Sequence, residues 1–182
     1  MIFSKHILNG FVAAQLTIGA AFAGEAELDA LFERLLQPEL PEWESVEQDI
    51  WEEWSDSGSP AMDLLLQRGR EAMEEKDMEA AIEHLTALVD HAPDFAEGWN
   101  ARATVFFGME EFGQSISDIR QTLALNPRHF GALQGLGRIL EELDDPENAL
   151  KAYQAAFALH PHRPGLKESV ERVEKIVSGQ SI

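Results

Sequence analysis

The sequence predicts an all-α fold, a solenoid of three stacked helical hairpins with an N-terminal helical hairpin and a C-terminal capping helix. Three prolines, Pro93, Pro127 and Pro161, stand 34 residues apart. Small and large apolar residues keep the same step in four further columns: Gly69, Ala103, Gly137; Leu65, Trp99, Leu133; Ala81, Ser115, Ala149; and Leu85, Ile119, Tyr153. Repetition at this interval is typical of stacked helical hairpins, which usually present surfaces for binding.

Each column has a physical role in joining two amphipathic helices. The small residues let the helices of one hairpin approach closely, and the large apolar residues fill the remaining space. Each proline ends a helix, because the residue before it is pushed out of the α region. Ser59-Pro60 and Asp145-Pro146 read as N-cap and first helical residue, and Asp77 reads as an N-cap without a proline.

These columns resemble the tetratricopeptide repeat (TPR) family over residues 62–163. The resemblance gives repeats at 62–95, 96–129 and 130–163. The third repeat keeps the most family-typical residues: Leu133, Gly137, Ala149, Tyr153, Ala156 and Pro161. The resemblance implies a right-handed solenoid and a function in protein–protein interaction.

Residues 1–23 have the pattern of a secretory signal peptide. Lys5 and the free amine give a positive start, an apolar run follows, and Ala21-Phe22-Ala23 fits the small-x-small cleavage rule. We expect cleavage between Ala23 and Gly24, a soluble periplasmic product and no stable membrane insertion. The alternative is an uncleaved anchor, but the apolar run is interrupted and shorter than the ~20 residues that a helical span needs.

Residues 24–58 predict an acidic, tryptophan-rich helical hairpin that is broken near Pro38 and Pro41. Apolar residues share one face of each helix: Leu28, Leu31, Phe32, Leu35 and Leu36 in the first, and Trp43, Val46, Ile50 and Trp54 in the second. Two interpretations stay open. The segment is either a degenerate repeat that caps the first hairpin, or an arm that fills the concave groove or binds a partner.

A possible second binding surface lies in this segment, at Trp43, Trp51 and Trp54. Trp51 lies about 60° beyond the apolar stripe and is expected to be the most exposed of the three. At the other end, residues 164–178 predict a capping helix that solvates the last repeat. Its apolar face consists of Leu166, Val170, Val173, Ile176 and Val177.

Composition narrows the range of partners. The chain has 33 Asp+Glu and 14 Lys+Arg, a formal net charge of −19. A surface this acidic repels nucleic acid and anionic lipid, so we expect neither as a partner and expect a protein or peptide instead. The sequence contains no cysteine, which excludes disulfides and thiolate nucleophiles.

No constellation of residues predicts catalysis, and we expect no enzyme activity, no cofactor and no metal. The sequence has no Gly-rich phosphate loop, no Gly-x-Ser-x-Gly and no His-Glu-x-x-His. His160-Pro161-His162 and His129 stand at repeat junctions, where turn-facing polar residues are ordinary, and a zinc site needs further ligands. Adjacent acids such as Glu141-Glu142 do not face each other on a helix.

By similarity to the family, the first helix of each repeat lines the concave surface. The ligand-contacting columns of TPR proteins fall on Leu66, Asn100 and Gln134, on Arg70, Thr104 and Arg138, and on Met73, Phe107 and Glu141. The resemblance thus implies a partner-binding groove in which Arg70 and Arg138 hold a carboxylate or the backbone of an extended peptide. The pattern departs from the carboxylate clamp of chaperone-binding TPR domains, which relies on more lysine and asparagine.

Two functions stay open at this stage. The first is an exported protein-interaction module, an adaptor or scaffold of a cell-envelope complex, which binds an extended peptide or a partner helix in its concave groove. The second is a structural or assembly protein that self-associates through its ends or its N-terminal aromatic hairpin. A peptide-binding module is expected to be monomeric when purified, and an assembly protein oligomeric; the sequence specifies neither the oligomeric state nor the partner.

If residues 1–23 direct export, the mature protein begins at Gly24. Intact-mass spectrometry of the protein recovered from the periplasm of a Gram-negative host measures this directly. A chain that keeps residues 1–23 and stays in the membrane fraction would contradict cleavage and support the anchor.

Overall fold

The computed structural model of the 182-residue chain describes residues 24–179. These residues form α-helices joined by turns, which confirms the all-α prediction. The predicted signal peptide, residues 1–23, lies outside them. The chain divides into two compact units, Met1–Glu53 and Trp54–Ile182. No helix within residues 24–179 is long and apolar enough to cross a membrane.

The first unit contains helix α1, residues 24–35, and all but the last two residues of helix α2, Trp43–Ser55. The break between the two helices spans Pro38 and Pro41, where the sequence predicts it. The buried side chains follow the predicted stripes: Leu31, Phe32, Leu35, Val46 and Ile50. Leu36, the residue after α1, is an exception and is 50 % exposed.

The second unit carries three hairpins and a final helix. Hairpin 1 consists of α3 (Pro60–Glu74) and α4 (Met78–His91), hairpin 2 of α5 (Ala96–Gly108) and α6 (Phe112–Leu125), and hairpin 3 of α7 (Phe130–Glu142) and α8 (Pro146–Leu159). Helix α9 (Leu166–Val177) follows. Each helix packs on the next, and the first helices α3, α5 and α7 also contact one another in order. The first helices therefore share one face of the array.

Helix ends fall where the sequence places them. Pro93, Pro127 and Pro161 each follow the C-cap residue of a hairpin's second helix. Asp77 and Asp145 act as N-caps and accept hydrogen bonds from the third backbone N–H of α4 and α8. Ser59 occupies the N-cap position of α3 but makes no side-chain cap hydrogen bond. Asp63, in the first turn of α3, instead reaches back to accept from the Ser57 backbone N–H at 2.9 Å.

All three hairpin turns use the same backbone device. Each turn has one residue with positive φ, and these residues stand 34 positions apart: Lys76 (64°), Glu110 (61°) and Asp144 (57°). In each turn the next N–H donates back to the carbonyl five residues earlier, at 2.8–2.9 Å, from Asp77 to Ala72, Glu111 to Phe106 and Asp145 to Leu140. This left-handed C-terminal closure satisfies free helix carbonyls and reverses the chain.

Two glycines bring the helices of hairpins 1 and 3 together. A Cβ atom on Gly69 would lie 2.5 Å from the Leu85 side chain, and one on Gly137 would lie 2.6 Å from the Tyr153 ring. Leu85 and Tyr153 are buried, so neither can retreat without disturbing a close-packed core. The glycine and large apolar columns of the sequence thus meet as partners across each hairpin.

Hairpin 2 makes the same junction with different residues. Ala103 stands in the glycine column and packs with Ile119 in one buried cluster. Ser115 stands in an alanine column, and its hydroxyl donates to the Ala103 carbonyl at 2.8 Å. This hydrogen bond explains how a fully buried serine is accommodated where the other repeats have alanine.

Helix α9 closes the array. It begins at Leu166, after Gly165 with φ of 76°, two residues later than predicted. Leu166 and Val173 are fully buried, whereas Ile176 and Val177 are 39 % and 41 % exposed. The last two were expected on the same buried face and are partly uncovered instead.

We expect opposite effects from two alanine substitutions in α7. Gly137→Ala drives a methyl group into the Tyr153 ring and should destabilise the fold by about 1–3 kcal/mol. Gly135→Ala meets only Ile119, at 3.8 Å, and should be neutral or stabilise by up to about 1 kcal/mol through helix propensity. Urea unfolding of both variants measures the difference, and equal effects would contradict the close approach at Gly137.

Candidate functional site

A buried carboxylate joins the first helices of the three hairpins. Glu97, in the first turn of α5, is 3 % exposed. Its oxygens accept hydrogen bonds from Arg70 of α3 at 2.5 Å and from Asn100 at 3.1 Å, and they lie 2.9 Å from Nε2 of His129, the N-cap residue of α7. One acid therefore connects α3, α5 and α7.

The position of His129 fixes the tautomer of its ring. Its Nδ1 accepts a hydrogen bond from the backbone N–H of Ala132, at 3.1 Å, and so carries no proton. The proton of the neutral ring is on Nε2, which donates to Glu97. The same imidazole thus caps α7 and binds the carboxylate. His129 is fully buried rather than turn-facing as expected, because both of its nitrogens are satisfied inside the protein.

Aromatic rings surround this histidine. Trp54, the first residue of the second unit, stacks on the His129 ring with centroids 4.4 Å apart and an interplanar angle of 19°. Trp54 also lies 5.0 Å from the Phe130 ring, and Phe130 meets His160 edge-on at 4.9 Å. His160 is fully buried as well, which again differs from the turn-facing expectation.

The three tryptophans of the proposed second surface do not share one exposed face. Trp54 is 8 % exposed because its ring lies against His129 and Phe130. Trp43 and Trp51 are half-buried. Trp51, expected to be the most exposed, donates from Nε1 to Glu47 one turn earlier at 3.1 Å, which holds the ring along its own helix.

Most of the predicted groove residues already have roles inside the protein. Leu66 is 2 % exposed and belongs to the core of hairpin 1, and it also lines a cleft of about 400 Å³ beside Arg70. Met73 packs on the same core. Asn100 donates to Glu97, Thr104 donates to the Asn100 carbonyl, and Gln134 accepts from Arg163 at 2.8 Å.

The two groove arginines differ in their surroundings. Arg70 is bound by Glu97 and also donates to the Ser55 hydroxyl at 3.2 Å. Arg138 is exposed and forms no hydrogen bond or ion pair within residues 24–179. They do not form the symmetric pair that the sequence suggests, because the carboxylate that Arg70 was expected to take from a ligand is supplied by Glu97.

A cleft of about 580 Å³ lies beside Arg138. Helices α5, α7, α8 and α9 line it with Phe107, Arg138, Glu141, Glu142, Tyr153, Ser169 and Arg172. The structure thus brings together three residues from the predicted groove columns, Phe107, Arg138 and Glu141. It adds residues from α8 and α9, which the comparison of first helices alone did not find.

Hydrogen bonds to Glu141 fix the charges of this cleft. Arg172 binds both carboxylate oxygens, the longer bond being 3.0 Å, and the Tyr153 hydroxyl donates at 2.7 Å. Burial alone would raise the pKa of Glu141, but the hydrogen bonds from Arg172 and Tyr153 and the Arg172 charge outweigh it and lower the pKa. Burial and the bond to Glu141 raise the pKa of Tyr153, which stays protonated.

The two arginines of the cleft therefore differ: Arg172 is neutralised by Glu141, and Arg138 is available to a ligand. The hydrogen bond with Glu141 raises the pKa of Arg172 and commits its guanidinium to that carboxylate. Arg138 has no such partner among the described residues, and the half-buried Phe107 ring also lines the cleft. No group of three or more His, Asp or Glu residues within residues 24–179 has the arrangement to hold a metal ion.

Comparisons with known proteins agree with the repeat architecture. Residues 100–164 match the Tetratricopeptide repeat family model. A TPR repeat-containing protein of Rhizobium etli is 36 % identical over 161 residues, which are 88 % of this chain and 79 % of the relative. The small glutamine-rich tetratricopeptide repeat-containing protein 2 of Saccharomyces cerevisiae is 30 % identical over 150 residues, 76 % of this chain but 43 % of that protein.

Solved structures show the same fold at lower identity. The first TPR domain of Spaghetti (RPAP3), bound to the HSP90 peptide SRMEEVD, has a TM-score of 0.63 and 22 % identity, and the match covers 66 % of this chain and 95 % of that domain. The crystal structure of MamA has a TM-score of 0.61 and 18 % identity, and the match covers 79 % of this chain and 87 % of MamA.

We expect Glu141→Gln to reduce the acid sensitivity of the fold. A carboxyl whose pKa is lower in the folded state stabilises the protein above its unfolded pKa, and this stabilisation is lost as pH falls through the folded value. Urea midpoints measured from about pH 6 to about pH 3 should therefore fall more for the wild type than for Glu141→Gln. Glu142→Gln, at the exposed neighbour, is the control; a Glu141→Gln curve parallel to the wild type would contradict the ion pair.

Proposed function

We propose, because this chain belongs to the tetratricopeptide repeat family, that it is a protein-interaction module whose ligand is a peptide segment held at the Arg138 cleft. The observation that carries the proposal is the presence of a guanidinium without a partner and an aromatic ring in one cleft. Arg138 is exposed and without a hydrogen bond in the described residues, and Phe107 lines the same space.

The chemistry of the cleft selects the ligand. A guanidinium binds a carboxylate through two parallel hydrogen bonds, and Phe107 offers an apolar contact. Glu142 also lines the cleft and repels a second acid placed near it. The cleft therefore suits an extended peptide with a carboxylate beside a bulky apolar side chain. The HSP90 peptide SRMEEVD bound by the RPAP3 domain also places acids beside methionine and valine, which supports an acidic and apolar ligand. Because it carries three acids, we expect this cleft to prefer a peptide with a single acid beside the apolar residue.

The Arg70 end of the concave face plays a different part in this proposal. Arg70 and Asn100 already donate to Glu97, so the charge of Arg70 is balanced inside the protein. The cleft beside Arg70 is also lined by three acids, Asp63, Glu71 and Glu74, which repel a ligand carboxylate. We therefore assign the ligand to the end of the face formed by α5, α7 and α9.

We further propose that the protein works outside the cytoplasm, as an adaptor or scaffold of a cell-envelope complex. The support is the pattern of residues 1–23, and the mass of the mature chain tests it.

The alternative, self-association, has its own observation. Ile176 and Val177 leave an apolar patch at the end of α9. Sedimentation velocity distinguishes the two functions, because the interaction module is monomeric and an assembly protein built through this patch is not.

The peptide proposal is tested by fluorescence anisotropy with an array of labelled peptides that combine acidic and bulky apolar residues, SRMEEVD among them. Binding should weaken about tenfold or more in Arg138→Ala, as expected for the loss of a charge-assisted contact. Its melting behaviour should stay within about 0.5 kcal/mol of the wild type, as for other surface substitutions.

Arg120→Ala, at an exposed arginine of α6, is the matched control and should bind like the wild type. The assignment of the ligand to this cleft would be refuted if no peptide of the array binds. It would also be refuted if the peptides that bind do so with the same affinity to Arg138→Ala as to the wild type.

A further inference from the structure

A second groove lies where α4 begins and α5 ends, and it shares no lining residue with the Arg138 cleft. It has a volume of about 440 Å³. Its apolar lining consists of Met78 and Ile82 from α4 and Phe106 and Met109 from the end of α5. Glu79 and Glu111 stand among them.

The apolar part of this groove is open to solvent. Met109, the C-cap residue of α5, is 45 % exposed. Leu143 occupies the equivalent C-cap position of α7, 34 residues later, and is 51 % exposed. Two successive hairpins therefore leave a large apolar side chain uncovered at the same point of the repeat.

The charge of the groove identifies the class of partner. The described residues that line it include two carboxylates, Glu79 and Glu111, and no cation. The nearby Arg102 guanidinium, 5.7 Å from the Phe106 ring, is paired with Asp118. Glu110, in the adjoining turn, adds a third exposed acid. Methionine side chains are flexible and polarisable, which suits a surface that adapts to an inserted apolar side chain. Acids around an apolar floor complement a segment in which lysine or arginine flanks a bulky apolar residue.

We infer that this groove is a second binding site, whose ligand is a basic amphipathic segment of a partner protein. A bulky apolar side chain of that segment inserts between Met78, Ile82 and Met109, and its lysine or arginine neighbours pair with Glu79 and Glu111. This site selects the opposite charge from the Arg138 cleft. One chain can therefore hold two chemically different segments at once, and the inference stands whether or not the cleft binds an acidic peptide.

The experiment uses the mature chain and two fluorescein-labelled peptides. One is an amphipathic peptide of leucine and lysine, and the other is the same peptide with glutamate at every lysine position. Fluorescence anisotropy should show binding of the lysine peptide and none of the glutamate peptide. Added salt should weaken the binding, because the charged pairs stand at the surface.

Matched variants locate the site. Met109→Ser should weaken binding of the lysine peptide about tenfold, as for an anchor residue of an interface. Leu64→Ser removes a similarly exposed apolar side chain of α3, 44 % exposed, and should leave binding unchanged. Glu79→Gln combined with Glu111→Gln should weaken binding about fivefold, whereas Glu168→Gln on α9 should not. Arg138→Ala should leave it unchanged too.

The inference is overturned if neither peptide binds, if the glutamate peptide binds equally well, or if Leu64→Ser weakens binding as much as Met109→Ser. Thermal melts of each variant confirm that any loss of binding is not a loss of fold.

Discussion

Glu97 places a carboxylate where water cannot reach it, and the arrangement of the first helices follows from the donors that it requires. An unpaired buried carboxylate is costly, so Arg70, Asn100 and His129 must stay within hydrogen-bond distance. These donors come from α3, α5 and the start of α7. As the Nε2–H tautomer, His129 donates to Glu97 from Nε2 and caps α7 through Nδ1. The start of the third hairpin is therefore linked by a hydrogen bond to one buried side chain of the second.

Internal ion pairs leave the arginines of the concave face in different states. Arg70 is committed to Glu97, and Arg172 is committed to Glu141. Arg138 stays available, next to the cleft that contains Phe107. The acidic chain thus presents one local cation in a cleft and one acidic, methionine-lined groove elsewhere. Two sites of opposite charge preference would suit the adaptor role that we propose, which joins the proposed function to the further inference.

The architecture was predictable because it is periodic and local. The columns at a 34-residue step predict the hairpins, and the prolines and aspartates predict the helix ends. The glycines that face Leu85 and Tyr153 predict the close approach of the two helices in hairpins 1 and 3. The site was only partly predictable, because Arg70 is paired with Glu97, which lies 27 positions later in the sequence and in no ligand-contacting column. A signal did exist in Glu97 itself, an acid between the small residues Ala96 and Gly98 at a helix start. The roles of Arg172 and Tyr153 needed the packing of α8 and α9, which no column specifies.

The most direct test of the role of Glu97 is a double-mutant cycle of urea unfolding with Glu97→Ala, Arg70→Ala and the double variant. Glu97→Ala alone should cost about 1–3 kcal/mol, because the His129 Nε2–H is left buried without its acceptor. The two substitutions should couple by about 0.5–3 kcal/mol, as for residues in one hydrogen-bond network. Free energies that add to within about 0.3 kcal/mol would contradict the account, since they would mean that Arg70 is not held by Glu97 and remains available to a ligand.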